Sequence, residues 1–320
     1  MMATRRLPLT VIGGFLGAGK TTLLNRLLRQ AGGRRFAVLV NDFGAIDIDS
    51  RLVVAHGGDT ISLANGCICC GIGDSLVMAL MRVLEKAASL DHVVVEASGV
   101  GDPARIAELA LIEPLLARDG VLVLADAASV RAREADRYVG DTIRRQLDGA
   151  DLLILNKTDL VSEGELTALT AWLRDRRADA RILAATHADI PVELLFGLAP
   201  AEITVPTRVQ PGAPSPIDPP FRRWSLTTLD LVDRSALVSA LRAMPQSVLR
   251  AKAILRMSDA PTQRTVLHMV GRRIDVHADG PWGIAALRSD LVLLGTPDMP
   301  DDATLDRAFA GSLVARRPLG

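Results

Sequence analysis

The chain has 320 residues, 49% of them hydrophobic and only 3% aromatic, so its core must rest on Leu, Val, Ile and Ala. Thirty-seven basic residues balance 37 acidic ones, a total that gives no electrostatic footprint for nucleic acid or anionic lipid. Three cysteines within four residues cannot build a disulfide framework, and no apolar run reaches bilayer length, so a cytoplasmic protein without a membrane partner is expected.

Read in chain order, short β-branched runs alternate with amphipathic stretches. The pattern predicts strands at Leu7–Ile12, Phe36–Val40, Thr60–Leu63, His92–Glu96, Val121–Asp126, Asp151–Asn156 and Arg181–Ala184. It predicts helices at Thr21–Gln30, Asp74–Ala88, Pro103–Leu111, Thr142–Leu147, Glu163–Arg176 and Pro191–Phe196. Such alternation is the signature of an α/β domain with a mostly parallel sheet covered on both faces. VPTRVQPGAPSPIDPP (Val205–Pro220) has no helix or strand period and reads as a proline-rich linker. Beyond it, apolar segments at Trp224–Leu226, Ala236–Ala243, Ala253–Met257, Val266–Val270 and Leu291–Leu294 predict a small C-terminal α+β domain. The expected division is 1–204, 205–220 and 221–320.

The first strand runs into GGFLGAGKTTLLN, in which Gly14-xxxx-Gly19-Lys20-Thr21 is a complete Walker A pattern between a predicted strand and a predicted helix. Backbone amides of Gly14, Gly17, Ala18 and Gly19 can curl around phosphate, with Lys20, Thr21 and Thr22 opening the helix behind them. Lys20 can neutralise β/γ-phosphate charge, and the Thr21 hydroxyl can ligate Mg²⁺. Asn156-Lys157-Thr158-Asp159 follows the sixth strand. The Asp159 carboxylate can accept from both the N1–H and the exocyclic amine of guanine, a donor pair adenine lacks, so GTP is the expected nucleotide. Asn156 and Lys157 would brace that loop. A cap on the next helix from Thr158 or Asp159 is compatible with this role. Ala185-Thr186-His187, after the seventh strand, reads either as a second base-side loop or as a plain turn.

Glu96 ends the run HVVVE, where a carboxylate can support Mg²⁺ or its water, and the Gly99 N–H behind it can meet a γ-phosphate. Cys67, Cys69 and Cys70 form CxCC. Three thiolates can supply three corners of a tetrahedron for Zn²⁺ or Co²⁺ and leave one open. A redox pair through Cys67 and Cys70, or a structural cluster, fits the same residues. Asp42, in the loop Asn41-Asp42-Phe43-Gly44, is a further carboxylate for either metal, or a solvated turn residue. The five histidines have no partners at helical ligand spacing.

Together, GGFLGAGKTTLLN, VNDFG, SLANGCICC, VVVEASG, QLDGADLLILNKTDL, RAKAILRM and LVLLG resemble the CobW-like P-loop GTPases, metallochaperones related to the nickel chaperones HypB and UreG. The resemblance spans nearly the whole chain. It implies slow GTP hydrolysis, metal binding by the CxCC cysteines and delivery to a client metalloenzyme or cofactor pathway, with the oligomeric state left open. Asp42 stands where these proteins commonly carry Glu, Gly71 replaces the usual Thr or Ser after CxCC, and there is no His-rich stretch. The resemblance is also compatible with an activator scaffold of the nitrile hydratase activator type, and the cysteines with a redox-sensing regulator. Asp159 speaks against an ATP-dependent kinase.

Overall fold

The computed structural model describes residues 6–30, 34–41, 60–63, 74–196, 221–282 and 287–314. Cys67, Cys69, Cys70, Asp42 and the predicted linker lie outside these residues. The described chain falls into two compact units, one ending at Phe196 and the other beginning at residue 221.

In the first unit the elements run β1 (Leu7–Gly14), α1 (Lys20–Arg29), β2 (Phe36–Asn41), β3 (Thr60–Leu63), α2 (Asp74–Glu85), β4 (His92–Glu96), α3 (Pro103–Ile112), β5 (Leu116–Asp126), α4 (Val130–Glu134), α5 (Gly140–Gly149), β6 (Leu152–Asn156), α6 (Glu163–Arg176), β7 (Ile182–Ala184) and α7 (Val192–Phe196). The strands form one sheet in the order β3-β2-β4-β1-β5-β6-β7, and every pairing is parallel. Parallel strands need both faces covered, which is why β4 is buried along its whole length. α1 turns Leu23, Leu24, Leu27 and Leu28 inward on one face. Burial of each such leucine contributes about 1.5–3 kcal/mol. Because all strands share a direction, Gly14, Glu96, Asp126 and Asn156 end at the same carboxyl edge of the sheet, where ligands bind in open α/β sheets.

β5 begins at Leu116, five residues before the predicted start. Arg118-Asp119-Gly120 hides the strand from a hydrophobicity reading, yet Asp119 is buried and accepts from the Thr10 hydroxyl at 2.8 Å. Arg118 reaches Asp151 at 3.1 Å. Leu9 pairs with Arg118 and Thr10 with Gly120, so Asp119 is the extra residue of a bulge. The short helix α4 is absent from the predicted set.

The second unit contains β8 (Arg222–Thr228), β9 (Leu231–Val232), α8 (Arg234–Ala243), β10 (Val248–Arg256), β11 (Gln263–Val270), β12 (Arg273–Pro281), β13 (Ser289–Gly295), α9 (Asp302–Ala310) and β14 (Leu313–Val314). Five strands form an antiparallel sheet in the order β12-β11-β10-β13-β8, and β14 pairs with β9. α8 and α9 contribute Leu237, Leu241, Leu305 and Phe309 to a core with Trp224, Leu267 and Leu293. Trp224 stacks on Phe309 at 5.1 Å, and its indole N–H donates to Asp306 at 3.1 Å. β10 starts five residues ahead of the predicted Ala253, because Arg250 and Lys252 interrupt its apolar pattern. Among the described residues no helix is long and apolar enough to cross a membrane.

Candidate nucleotide site at the carboxyl edge of the sheet

The phosphate loop is the turn between β1 and α1. Two of its glycines are required by what surrounds them. Gly14 has φ +133°, and a Cβ there would lie 2.4 Å from the Leu124 carbonyl oxygen on β5. Gly19 has φ +106°, and its Cβ would meet the Asn156 amide nitrogen at 2.4 Å. Between them lie Gly17 and Ala18, the latter closing a turn through its N–H onto the Phe15 carbonyl at 3.1 Å. Gly19 offers no side chain to cap α1, so the positive end of the helix dipole is presented to the loop. Lys20, only 8% exposed, curls back to donate to the Phe15 carbonyl at 3.4 Å. Thr22 follows Lys20 and Thr21 in the first turn of α1.

Glu96 is brought to this turn by the register of the sheet, which sets it opposite Ile12. The Thr21 hydroxyl donates to Glu96 Oε1 at 3.2 Å, and Glu96 is 2% exposed. A hydroxyl and a buried carboxylate side by side, behind a glycine cradle and a lysine, are the hard-oxygen donor set that suits Mg²⁺ with a nucleotide phosphate. After Glu96 the chain turns tightly, with the Gly101 N–H donating to the Ser98 carbonyl at 2.9 Å. Gly99 sits against the phosphate loop, since a Cβ on it would lie 2.5 Å from Leu16 Cδ2.

The Asn156–Asp159 loop is fastened to the phosphate loop. Asn156 is buried; its amide nitrogen donates to the Ala18 carbonyl at 2.9 Å, and its oxygen accepts from the Ala188 N–H at 2.7 Å. Lys157 adopts a left-handed backbone with φ 62° and donates to Asp126 Oδ2 at 2.8 Å. Asp159 is exposed in the short 3₁₀ turn Thr158–Leu160. Thr158 Oγ1 lies 3.0 Å from Thr186 Oγ1 and donates to the Ala185 carbonyl at 3.2 Å. The Ala185–His187 segment therefore lies beside this loop, with His187 and Ala188 at φ 52° and 53°.

One expectation is corrected here. Neither Thr158 nor Asp159 caps α6. Ser162 does, accepting from the Glu165 N–H while the Glu165 carboxylate accepts from the Ser162 N–H. That leaves the Asp159 carboxylate out of the cap. His92 is a core residue, 2.8 Å from Thr10 Oγ1 and edge-on to Phe196 at 4.7 Å. Among the described residues no group of three or more His, Cys, Asp or Glu is placed to hold a metal ion.

Sequence reasoning missed Asp126, Arg133 and Gln146. Arg133 on α4 donates to the Leu16 carbonyl at 2.9 Å and lies over the Phe15 ring at 5.0 Å. The side chain of Gln146 on α5 donates to the carbonyls of Gly99 and Gly101. Asp126 alone carried a signal, as an acid ending a buried strand next to the phosphate-loop strand.

Comparison with known proteins points the same way. The model described as the CobW/HypB/UreG nucleotide-binding domain matches residues 8–184, and that of the cobalamin synthesis protein cobW C-terminal domain matches 221–313. The chain is 30% identical to the zinc chaperone CobW of a Sinorhizobium species, over 97% of this chain and 98% of that one. It is 31% identical to the zinc chaperone YjiA of Escherichia coli, over 94% and 97% respectively. With the zinc-regulated GTPase metalloprotein activator 1 of Schizosaccharomyces pombe it shares 32% identity over 56% of this chain and 46% of that protein. A glycine cradle, a buried acid and a tethered Asn-Lys-x-Asp loop meet on one sheet edge, and both family models match in order: the chain belongs to the CobW/HypB/UreG family.

Proposed function

We propose that this protein is a GTP-hydrolysing metallochaperone that carries a transition metal, zinc or cobalt, on Cys67, Cys69 and Cys70 and passes it to a client metalloprotein. The observation that carries the nucleotide half is Asn156, whose side chain joins the phosphate loop at Ala18 to the Asn-Lys-x-Asp loop. The names of the relatives, zinc chaperones and a zinc-regulated GTPase activator, support the metal half.

Gly14, Gly17, Ala18, Gly19 and Thr22 line the phosphates with backbone amides, and Lys20 neutralises the charge that grows on them as the γ-phosphoryl leaves. Thr21 and Glu96 would hold Mg²⁺, which would supply neutralisation of the nucleotide's phosphate charge. Glu96 is within hydrogen-bond reach of Thr21, so the two donors for the ion share one corner of the site. Gly99 faces the γ-phosphate side with its N–H. Asp159 selects guanine, while Asp126 steadies Lys157 beneath the base. The thiolates of Cys67, Cys69 and Cys70 hold the cargo ion, with Asp42 as an added oxygen donor. A γ-phosphate that orders the segment after Glu96 and the loop at Asp42 would bring the cysteines into a competent geometry, and hydrolysis would loosen them.

The test is a competitive Zn²⁺ titration of the full chain with Mg²⁺ and either a non-hydrolysable GTP analogue or GDP. Metal affinity is expected to be higher with the analogue, by a coupling of about 1–3 kcal/mol, and zinc must tighten the analogue by the same factor. A chain with Cys67, Cys69 and Cys70 all changed to Ser should lose the tight site. Equal affinity in both nucleotide states, or full binding by the triple variant, rejects the mechanism. The activator name of the Schizosaccharomyces pombe relative favours a second reading, in which the loaded chain acts as a scaffold on a metalloenzyme. That reading predicts client activation by a chain whose zinc is not transferred.

A further inference from the structure

Gln146 on α5 is 2% exposed and has no place in the phosphate or guanine loops. It lies on the same face as Ile143 and Leu147, both buried core residues. A carboxamide in such a row is costly unless its polar atoms are bonded. Its nitrogen donates to the Gly99 carbonyl at 3.2 Å and to the Gly101 carbonyl at 2.8 Å. An amide nitrogen has two hydrogens, and each has its own carbonyl. The reversed amide would set an oxygen against two oxygens, so the orientation is forced.

These two bonds fix the Gly99–Val100 and Gly101–Asp102 peptide planes, and the Ser98–Gly99 plane, which carries the Gly99 N–H, is held in turn by the bond from the Gly101 N–H to the Ser98 carbonyl at 2.9 Å. The described chain has no cis peptide bonds, and in a trans peptide C=O and N–H point in opposite directions. Fastening the Gly99 carbonyl to α5 turns the Val100 N–H away from α5. Fastening the Gly101 carbonyl does the same for the Asp102 N–H. The Ser98–Gly101 turn is thus gripped from behind, while Gly99 rests on Leu16 of the phosphate loop. The α4–α5 stretch also reaches that loop directly, through Arg133 and the Leu16 carbonyl.

We propose that Gln146 is a positioning residue for γ-phosphate recognition: it holds the Ser98–Gly101 turn in the geometry that distinguishes GTP from GDP. The proposal rests on the GTPase reading above. Gln146 touches no substrate and acts only through the backbone of Gly99 and Gly101.

The experiment measures, on the full chain with Mg²⁺, the affinities for GDP and a non-hydrolysable GTP analogue, together with GTP turnover. For Gln146→Met, which keeps the side-chain length without the donors, the preference for analogue over GDP should fall about tenfold, the scale of one or two lost buried hydrogen bonds. kcat should fall with it, and GDP affinity should stay at the parent value. A purely structural role would weaken both nucleotides alike, and that result overturns the proposal, as does an unchanged preference. If the Met variant does not fold, Gln146→Glu decides. An ionised carboxylate repels both carbonyls, whereas a protonated carboxyl donates one hydrogen, and burial raises the pH at which it protonates. At one fixed pH the preference of this variant should fall while GDP affinity stays at the parent value, because a carboxyl has at most one hydrogen for two carbonyls, and an unchanged preference or an equal loss for both nucleotides overturns the proposal. A parent chain that binds no guanine nucleotide would remove the GTPase reading itself, a failure seen before any substitution is made.

Discussion

Asn156 has both ends of its side chain committed to buried backbone, the Ala18 carbonyl and the Ala188 N–H. Removing it leaves a donor and an acceptor without partners inside the protein. Each such orphan costs about 1–3 kcal/mol. Asn156→Ala should therefore lower the stability of the nucleotide-free chain by about 2–6 kcal/mol in a denaturant titration. It should also weaken GTP, because the phosphate and base loops lose their tie. Asp159 is different. It is exposed and outside the α6 cap, so its substitution should leave stability alone. Asp159→Asn exchanges an acceptor pair for an amide that can donate to a xanthine oxygen. GTP affinity should fall and XTP affinity rise relative to it, and an unchanged GTP titration would reject the assignment of this loop.

At the scale of the element, α6 shows how a helix start is written locally. Ser162 and Glu165 form a reciprocal capping box, and the Ser162 backbone N–H, followed by its hydroxyl, holds the Glu165 carboxyl below its ordinary range. The sign follows from linkage. A depressed carboxylate gives its stabilisation above the unfolded-state pKa and loses it as pH falls through the folded-state value. Glu165→Ala should thus destabilise the chain at neutral pH and do so less at acid pH, below the usual glutamate range. Thermal midpoints of the two chains at pH 7 and near pH 3 check this, and a difference independent of pH would show that the carboxylate is not the stabilising group. Read from the sequence, this cap falls to Thr158 or Asp159, although the Ser162-x-x-Glu165 pattern is local; strand starts were hidden for another reason. β5 and β10 both start earlier than apolar runs suggest, because Asp119 and Arg250 are buried in them. Asp119 is satisfied by Thr10 on a neighbouring strand, 109 residues away, and such a partner is invisible to a local window.

At the scale of the molecule, one core cluster draws its residues from Leu7 to Ala180 and another from Trp224 to Phe309. We propose domains at 1–204 and 221–320 joined by the segment 205–220. Among the described residues each of these clusters draws on its own stretch of chain, so a fragment of residues 1–204 should unfold cooperatively and keep the guanine-nucleotide affinity of the full chain. Loss of binding in a folded fragment would place part of the nucleotide site beyond residue 204.

The sequence by itself determined the elements whose signals are local. Glycine spacing, an acid at the tip of VVV, Asn-Lys-x-Asp after an apolar strand and a CxCC cluster are chemical patterns within a few residues. The alternation of strand and helix dictated a parallel sheet, since short crossovers through helices allow little else. What only the tertiary structure decided were pairings across long separations. Asn156 and Ala18 are 138 residues apart, Gln146 and Gly99 are 47, and Lys157 and Asp126 are 31. No window of sequence holds both members of such a pair. The parallel register of the sheet brings their strand ends to one edge, and only there does a lone glutamine on an amphipathic helix gain two backbone carbonyls to hold.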